Sequence, residues 1–399
     1  MVLEPGKHTD GRGVEPLLLA SVLDAWLMFL LLGYGALYAH QQWHASYVEA
    51  SLVAAAPGFA WFAGAPLMGR WAGRWGHEFV VAIGCVSYTL LGALIWIVPN
   101  AWVLALVVGV LSLGTSGLRP AVVGALLAHG PLASSGSRLA RRVRWQSAGW
   151  LVGGVVGGLL YQASRATYPV MVTVLGAVAL VTAIVVWRRR APDAEPSGPG
   201  SDDPHAPPSG PRTVLLLVSY FLAYCAIEGI VTTLGFLLVA DRVSAFWVGG
   251  NTTIRTAVGW LAAAWYGSWA DRWGARRFLL GLLMVFTVLF GVMAVSPGPV
   301  VVLGAFAVVL NSPVTLGVQL ISTRHMGARG RRVLLGWIQS VSGLGIGLGT
   351  VGLGLVANVL GPRTMPAAAA GLMALAVLVG VAATREGRAP LDPSTAGSP

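Results

Sequence analysis

The chain has 399 residues, a formal net charge of +11, and only 10% charged residues against 56% hydrophobic ones. A soluble chain carries about a quarter charged residues and at this length divides into two or three domains, so a soluble multidomain reading is excluded. The basic surplus sits in short clusters between apolar runs, not along one face, which argues against a nucleic-acid-binding surface.

Residues 1–15 are polar and lack the apolar core and small-residue cleavage pattern of a signal peptide, so the first apolar run reads as a retained helix. Twelve runs then approach the ~20 residues needed to cross a bilayer. They lie near 16–38, 47–69, 79–98, 102–128, 145–163, 168–187, 213–239, 245–268, 277–295, 298–321, 334–359 and 364–384. The chain is therefore expected to be an all-α membrane protein of twelve transmembrane helices. Cys85 and Cys225 each lie inside an apolar run and read as packing residues, with no disulfide framework or metal site.

One long polar stretch, RRRAPDAEPSGPGSDDPHAPPSGPR over 188–212, is too rich in Pro, Gly, Ser and Asp to build a core. It reads as a cytoplasmic linker between a six-helix bundle at 1–187 and a second at 213–384. Residues 385–399 read as a disordered tail by the same composition. Of the 26 basic residues, Arg119 and Arg255 fall inside spans and only Arg165, Arg242 and Arg363 fall in the loops opposite the N-terminus. The rest lie on the N-terminal side, which places both termini in the cytoplasm of a plasma-membrane protein. The tryptophan pairs Trp71/Trp75 and Trp269/Trp273 fit interfacial anchors on that side.

The two halves repeat. GRWAGRWGHEFVV at 69–81 recurs as GSWADRWGARRFL at 267–279. Pro120 and Gly124 recur as Pro313 and Gly317, and Gln146-Ser147 recurs as Gln339-Ser340. Repeated halves are how many secondary transporters are built, with the substrate site between them near the midplane.

The loop Gly267-Ser-Trp-Ala-Asp271-Arg272-Trp-Gly274-Ala-Arg276-Arg277 resembles the G-x-L-a-D-R-x-G-R-R loop motif of the major facilitator superfamily. Its glycines permit a tight turn, and an aspartate near a helix end can pair with an arginine or a helix N-terminus. The resemblance implies a gating loop that latches the inner helix ends in one state; the alternative is a charged turn that fixes topology. The first copy keeps Gly69, Arg74 and Gly76 but has Gly73 in place of the aspartate, with Glu78 a candidate substitute. In span five, Gly149, Gly153, Gly154, Gly157 and Gly158 resemble the glycine-rich motif of the family's twelve-helix drug–proton antiporters, with Gly154 replacing its proline. Small residues at such spacing also serve simply to pack membrane helices closely.

Four charges lie deep inside the spans: Asp24, Arg119, Glu228 and Arg255. Each costs at least ~2.5 kcal/mol to insert and needs a partner or a wet cavity. Asp24 and Arg119 both lie roughly 12–14 Å from the inner ends of spans one and four. Glu228 and Arg255 lie roughly 15–17 Å from the outer ends of spans seven and eight. Two ion pairs are expected, one per half, acting in proton coupling or as static packing elements. Tyr220, Tyr224, Glu228 and Thr232 share one face of span seven, and Asn251 shares one with Arg255. Trp26, Tyr224, Asn251 and Gln319 are candidate substrate-cavity residues.

No phosphate-cradling loop, metal-spaced cluster or enzyme constellation is present, so neither catalysis nor a cofactor is expected. The expected function is a monomeric proton-coupled antiporter, exporting a small hydrophobic or amphipathic compound such as a drug or antibiotic. The alternative is a proton-coupled uptake symporter for an organic anion or sugar.

Overall fold

Apolar runs of bilayer length satisfy their backbone polar groups internally only as helices, and helices are what the computed structural model contains. It describes residues 14–128, 135–189, 210–296, 298–323 and 328–384. The centre of the expected linker and the expected tail lie outside the described residues.

Twelve long helices follow one another among the described residues. In chain order these are α1 Val14–Trp43, α2 Tyr47–Trp75, α3 His77–Leu94, α4 Ala101–Leu126, α5 Ser135–Ala163 and α6 Thr167–Arg188. The second set is α7 Pro211–Ala240, α8 Phe246–Trp273, α9 Ala275–Val295, α10 Pro299–Ile321, α11 Ala328–Leu360 and α12 Met365–Thr384. All but α5 and α8 are, by length and composition, apolar enough to cross a membrane. These two are diluted by glycine and polar residues, and they pack against each other between the halves. Small residues on the contact faces of such helices let their backbones approach closely. On these and the other helices large apolar side chains such as Leu106, Leu159, Val181, Leu261, Val288 and Leu378 stand exposed, as lipid-facing residues do.

Within the first six helices α1 packs on α5, α2 on α4 and α3 on α6. In the last six α7 packs on α11, α8 on α10 and α9 on α12, the same scheme with six added to each number. The two sets meet where α2 crosses α11 and α5 crosses α8. The face on which α1 begins is here called proximal, and the opposite face distal.

Three local irregularities position the site. Gly76 and Gly274 close the repeated proximal turns at φ of 92° and 77°, a backbone that an L side chain adopts only with strain. The helix of α4 breaks at Ser116–Gly117, and that of α10 breaks over 308–310. The repeated prolines explain both breaks. Pro120 and Pro313 offer no N–H to the carbonyls four residues earlier, at Ser116 and Val309, and their rings crowd those carbonyls. Finally, α1 contains a π turn at Leu30–Tyr34, which redirects Tyr34.

Candidate functional site

Asp24 lies at mid-depth on α1 and is 1% exposed. The Tyr88 hydroxyl on α3 donates to Asp24 Oδ1 at 2.7 Å, and Arg119 Nε on α4 donates to Oδ2 at 2.6 Å. The structure thus brings together the pair expected from depth alone, and adds Tyr88, which sequence reasoning missed. The helix break just before Pro120 sets where Arg119 leaves α4. Its guanidinium lies over the Trp61 ring of α2, 4.7 Å from the ring centre. The Arg119 side chain keeps 26% of its surface exposed against 2% for Asp24, so it borders open space while Asp24 is sealed.

The second pair is built differently. Arg255 Nε donates to the Val309 carbonyl at 3.0 Å, and its guanidinium lies 4.6 Å from the Phe306 ring centre. Val309 is the residue whose carbonyl Pro313 leaves without a helical donor, so the break in α10 supplies the acceptor. Glu228 is buried within electrostatic reach of Arg255. Tyr224 in turn lies within electrostatic reach of both Glu228 and Arg119, one charge from each half.

The cavity candidates separate. Tyr224 and Tyr220 share Thr315 of α10, with hydroxyl separations of 3.0 and 3.1 Å. Thr232, on the same face of α7, meets Thr350 of α11 at 2.7 Å. Asn251 instead donates to the Leu303 carbonyl of α10 at 2.8 Å, which ties α8 to α10. Trp26 packs on Gly153 of α5, and Gln319 lies half-buried on α10.

The glycine run of α5 carries two contact faces. Gly149, Gly153 and Gly157 meet α1 at Val22, Trp26 and Phe29, while Gly154 and Gly158 meet α8 at Thr253, Gly249 and Phe246. At Gly249 a Cβ would run into the Gly154 carbonyl, so the backbones touch directly. On the opposite seam Gly58 of α2 meets Gly343 of α11 in the same manner. Tyr34 crosses the seam as well: its hydroxyl donates to the Ala245 carbonyl at 3.0 Å and accepts from Gly249 N–H at 3.1 Å. These contacts lie from mid-depth to the distal ends, so the halves are closed together on the distal side.

The gating-loop residues lie on the proximal face. Gly69 and Gly73 have open space around them, and Arg74 lies over the Trp75 ring at 5.6 Å. Gly267 is in helix, and Asp271, Arg272, Arg276 and Arg277 are exposed beside Gly274. Asp271 makes no ion pair among the described residues. Glu78 is buried at the start of α3, where the neighbouring His77 ring packs against Gly124.

The sequence profile of the Major Facilitator Superfamily matches residues 17–249, more than half of the chain. The chain belongs to this superfamily. It is a multi-pass membrane transporter of small molecules rather than an enzyme. Among solved structures it is similar to the nucleoside transporter NupG, with a TM-score of 0.79 at 15% identity over 94% of this chain and all of that one. It is similar to a bacterial homolog of the human lysosomal transporter Spinster in an inward-facing and unoccupied conformation, with a TM-score of 0.77 at 13% identity, covering 96% of this chain and 100% of that one. A third similar structure is the peptide transporter POT in complex with sulfate, with a TM-score of 0.71 at 14% identity and 93% of each chain covered. At these identities the likeness establishes the fold. No curated protein matches the chain in sequence.

Proposed function

We propose that this protein is a proton-coupled secondary transporter of the plasma membrane, acting as a single chain, with Asp24 as its proton site. The observation that carries the reading is a sealed carboxylate held by one arginine and one tyrosine, with that arginine bordering open space. Pairing with Arg119 favours the charged carboxylate, whereas loosening the pair in an apolar site favours protonation. Protonation in turn releases Arg119, which ties proton occupancy to the arrangement of the two halves. The arginine asymmetry of the loops supports a cytoplasmic proximal face. With the distal side closed, the site then communicates with the cytoplasm, one of the two states of an alternating-access cycle.

Export of a hydrophobic or amphipathic compound by antiport is a second reading, favoured by the α5 glycine run. Its Gly154–Gly158 face is used for the distal seal against α8.

The test uses protein in liposomes loaded with a pH-sensitive dye. Small carboxylates and amphipathic amines are added under an imposed pH gradient, and compound-evoked proton flux is recorded. Asp24→Asn is expected to abolish gradient-driven movement, a loss of at least ~100-fold, and to preserve compound exchange at equal pH. Undiminished proton flux in that variant rules out Asp24 as the carrier. Compound moving with the protons identifies symport, and compound moving against them identifies the export reading.

A further inference from the structure

The surroundings of Asp24 hold more positive charge and more hydrogen-bond donors than one carboxylate can use. Arg142 lies on α5, a helix that starts at Ser135 and not near 145 as the apolar run alone implies. Arg142 is therefore a helical residue, two turns before Gly149 and on the same α1-facing stripe. It lies within electrostatic reach of both Arg119 and Asp24. Two guanidiniums thus lie in the field of one carboxylate, which is in contact with Arg119 on one oxygen and Tyr88 on the other. Among the described residues, three buried donors of this group have no acceptor: Arg119 Nη2, Arg142 Nε and the indole Nε1 of Trp61. Trp61 is 5% exposed and stacks under the Arg119 guanidinium.

Every orphan in this group is a donor, and Asp24 with Arg119 and Arg142 leaves one positive unit in excess; Glu228, which also acts on Tyr224, is set against Arg255. A neutral hydrophobic compound satisfies none of these groups, and an amine adds a like charge to the surplus. An oxyanion matches both deficits: it supplies acceptors and the missing negative charge, and guanidinium forks suit its geometry. We infer that Arg119, Arg142 and Trp61 form a binding subsite for an anionic group, a carboxylate, sulfonate or phosphonate, on the transported molecule.

A direction of coupling follows, and it rests on Asp24 being the proton site. The anion and Asp24 compete for Arg119. A proton on Asp24 removes the competitor, so anion and proton bind together and cross in the same direction. An amine at this site would instead compete with the proton and cross against it. The subsite thus favours co-transport of an organic anion with protons over antiport.

The test takes the full chain, purified in a zwitterionic detergent, and titrates benzoate, benzenesulfonate and phenylphosphonate against the uncharged benzamide and the cationic benzylamine. Thermal unfolding and equilibrium binding are read, followed by proton uptake in weak buffer. At least one anion is expected to bind saturably and raise Tm, while benzamide and benzylamine leave it unchanged. Arg142→Gln is expected to weaken anion binding by at least ~10-fold, the loss of one charge-assisted contact. Trp61→Phe keeps the ring under Arg119 and removes only the N–H; it is expected to weaken binding by a few-fold. It remains a test if Arg142→Gln does not fold. Absence of binding by all three anions, equal stabilisation by benzamide or benzylamine, or unchanged anion affinity in both folded variants overturns the subsite. Anion binding without proton uptake leaves the subsite standing and removes Asp24 as the proton site.

Discussion

The two buried charge pairs look alike in sequence and differ in the folded chain. Both join an acid and an arginine at matched depth, and both stand beside a helix broken by a repeated proline. In the first half the arginine grips the acid, with Arg119 Nε on Asp24 Oδ2. In the second half Arg255 Nε takes the Val309 carbonyl freed by Pro313, and Glu228 remains an electrostatic neighbour. One pair can be opened by a single proton. The other is fastened to the backbone, and protonating Glu228 does not undo that bond. Under the proposal that Asp24 is the proton site, equal charge content takes unequal roles: the first half carries the switch, and the second holds its arginine on a backbone carbonyl.

That contrast can be broken from either side. The largest effect is expected from Asp24→Ala, which strands Arg119 as an unpaired buried charge. The loss should reach about 3–5 kcal/mol, read as a large drop in Tm in detergent, and Asp24→Ala/Arg119→Met should recover part of it. Arg255→Met should cost less, about 1–3 kcal/mol, because a carbonyl and an aromatic face lose a partner while Glu228 loses an electrostatic neighbour and not a direct ion-pair contact. Pro313→Ala sharpens the comparison further. Restoring the N–H lets α10 reclaim the Val309 carbonyl, which should loosen Arg255 and bring it onto Glu228. Transport by this variant should then acquire a second pH-dependent step, beyond that of Asp24, which disappears in Glu228→Gln/Pro313→Ala. The smallest effect is a control remote from both pairs. Ser46 N–H donates to Glu49 Oε2 at 2.8 Å while the Ser46 hydroxyl accepts from Glu49 N–H at 3.3 Å, a reciprocal cap at the start of α2. Ser46→Ala should lower stability by about 1 kcal/mol and leave coupling unchanged.

The helices and the family were legible in the sequence because membrane insertion leaves long signals: apolar runs, loop arginines and a repeated glycine turn. The Asp24–Arg119 pair was legible from depth. Tyr88 was not, because a tyrosine in an apolar run carries no mark of which way its hydroxyl points. Arg142 was read as a loop charge because hydropathy ends a span where charge begins, whereas the helix continues while its backbone hydrogen bonds are satisfied. The Arg255 bond to Val309 depends on a carbonyl, and carbonyls have no sequence identity. Its one trace is the repeated proline, which in sequence marks duplication and frees an acceptor only once the helix around it is built. The α5 glycines were read as one motif, and the fold divides them between two neighbours.

The π turn of α1 has a kinetic consequence. It places one hydroxyl where it bonds at once to a carbonyl and an N–H of the opposite half. Each opening toward the distal face must rupture both bonds, so Tyr34 contributes directly to the barrier between the two conformations. At about 0.5–1.5 kcal/mol per net hydrogen bond, Tyr34→Phe would speed distal opening by roughly 5- to 150-fold if both bonds are already broken at the barrier. A transporter limited by that step would turn over faster for losing a bond.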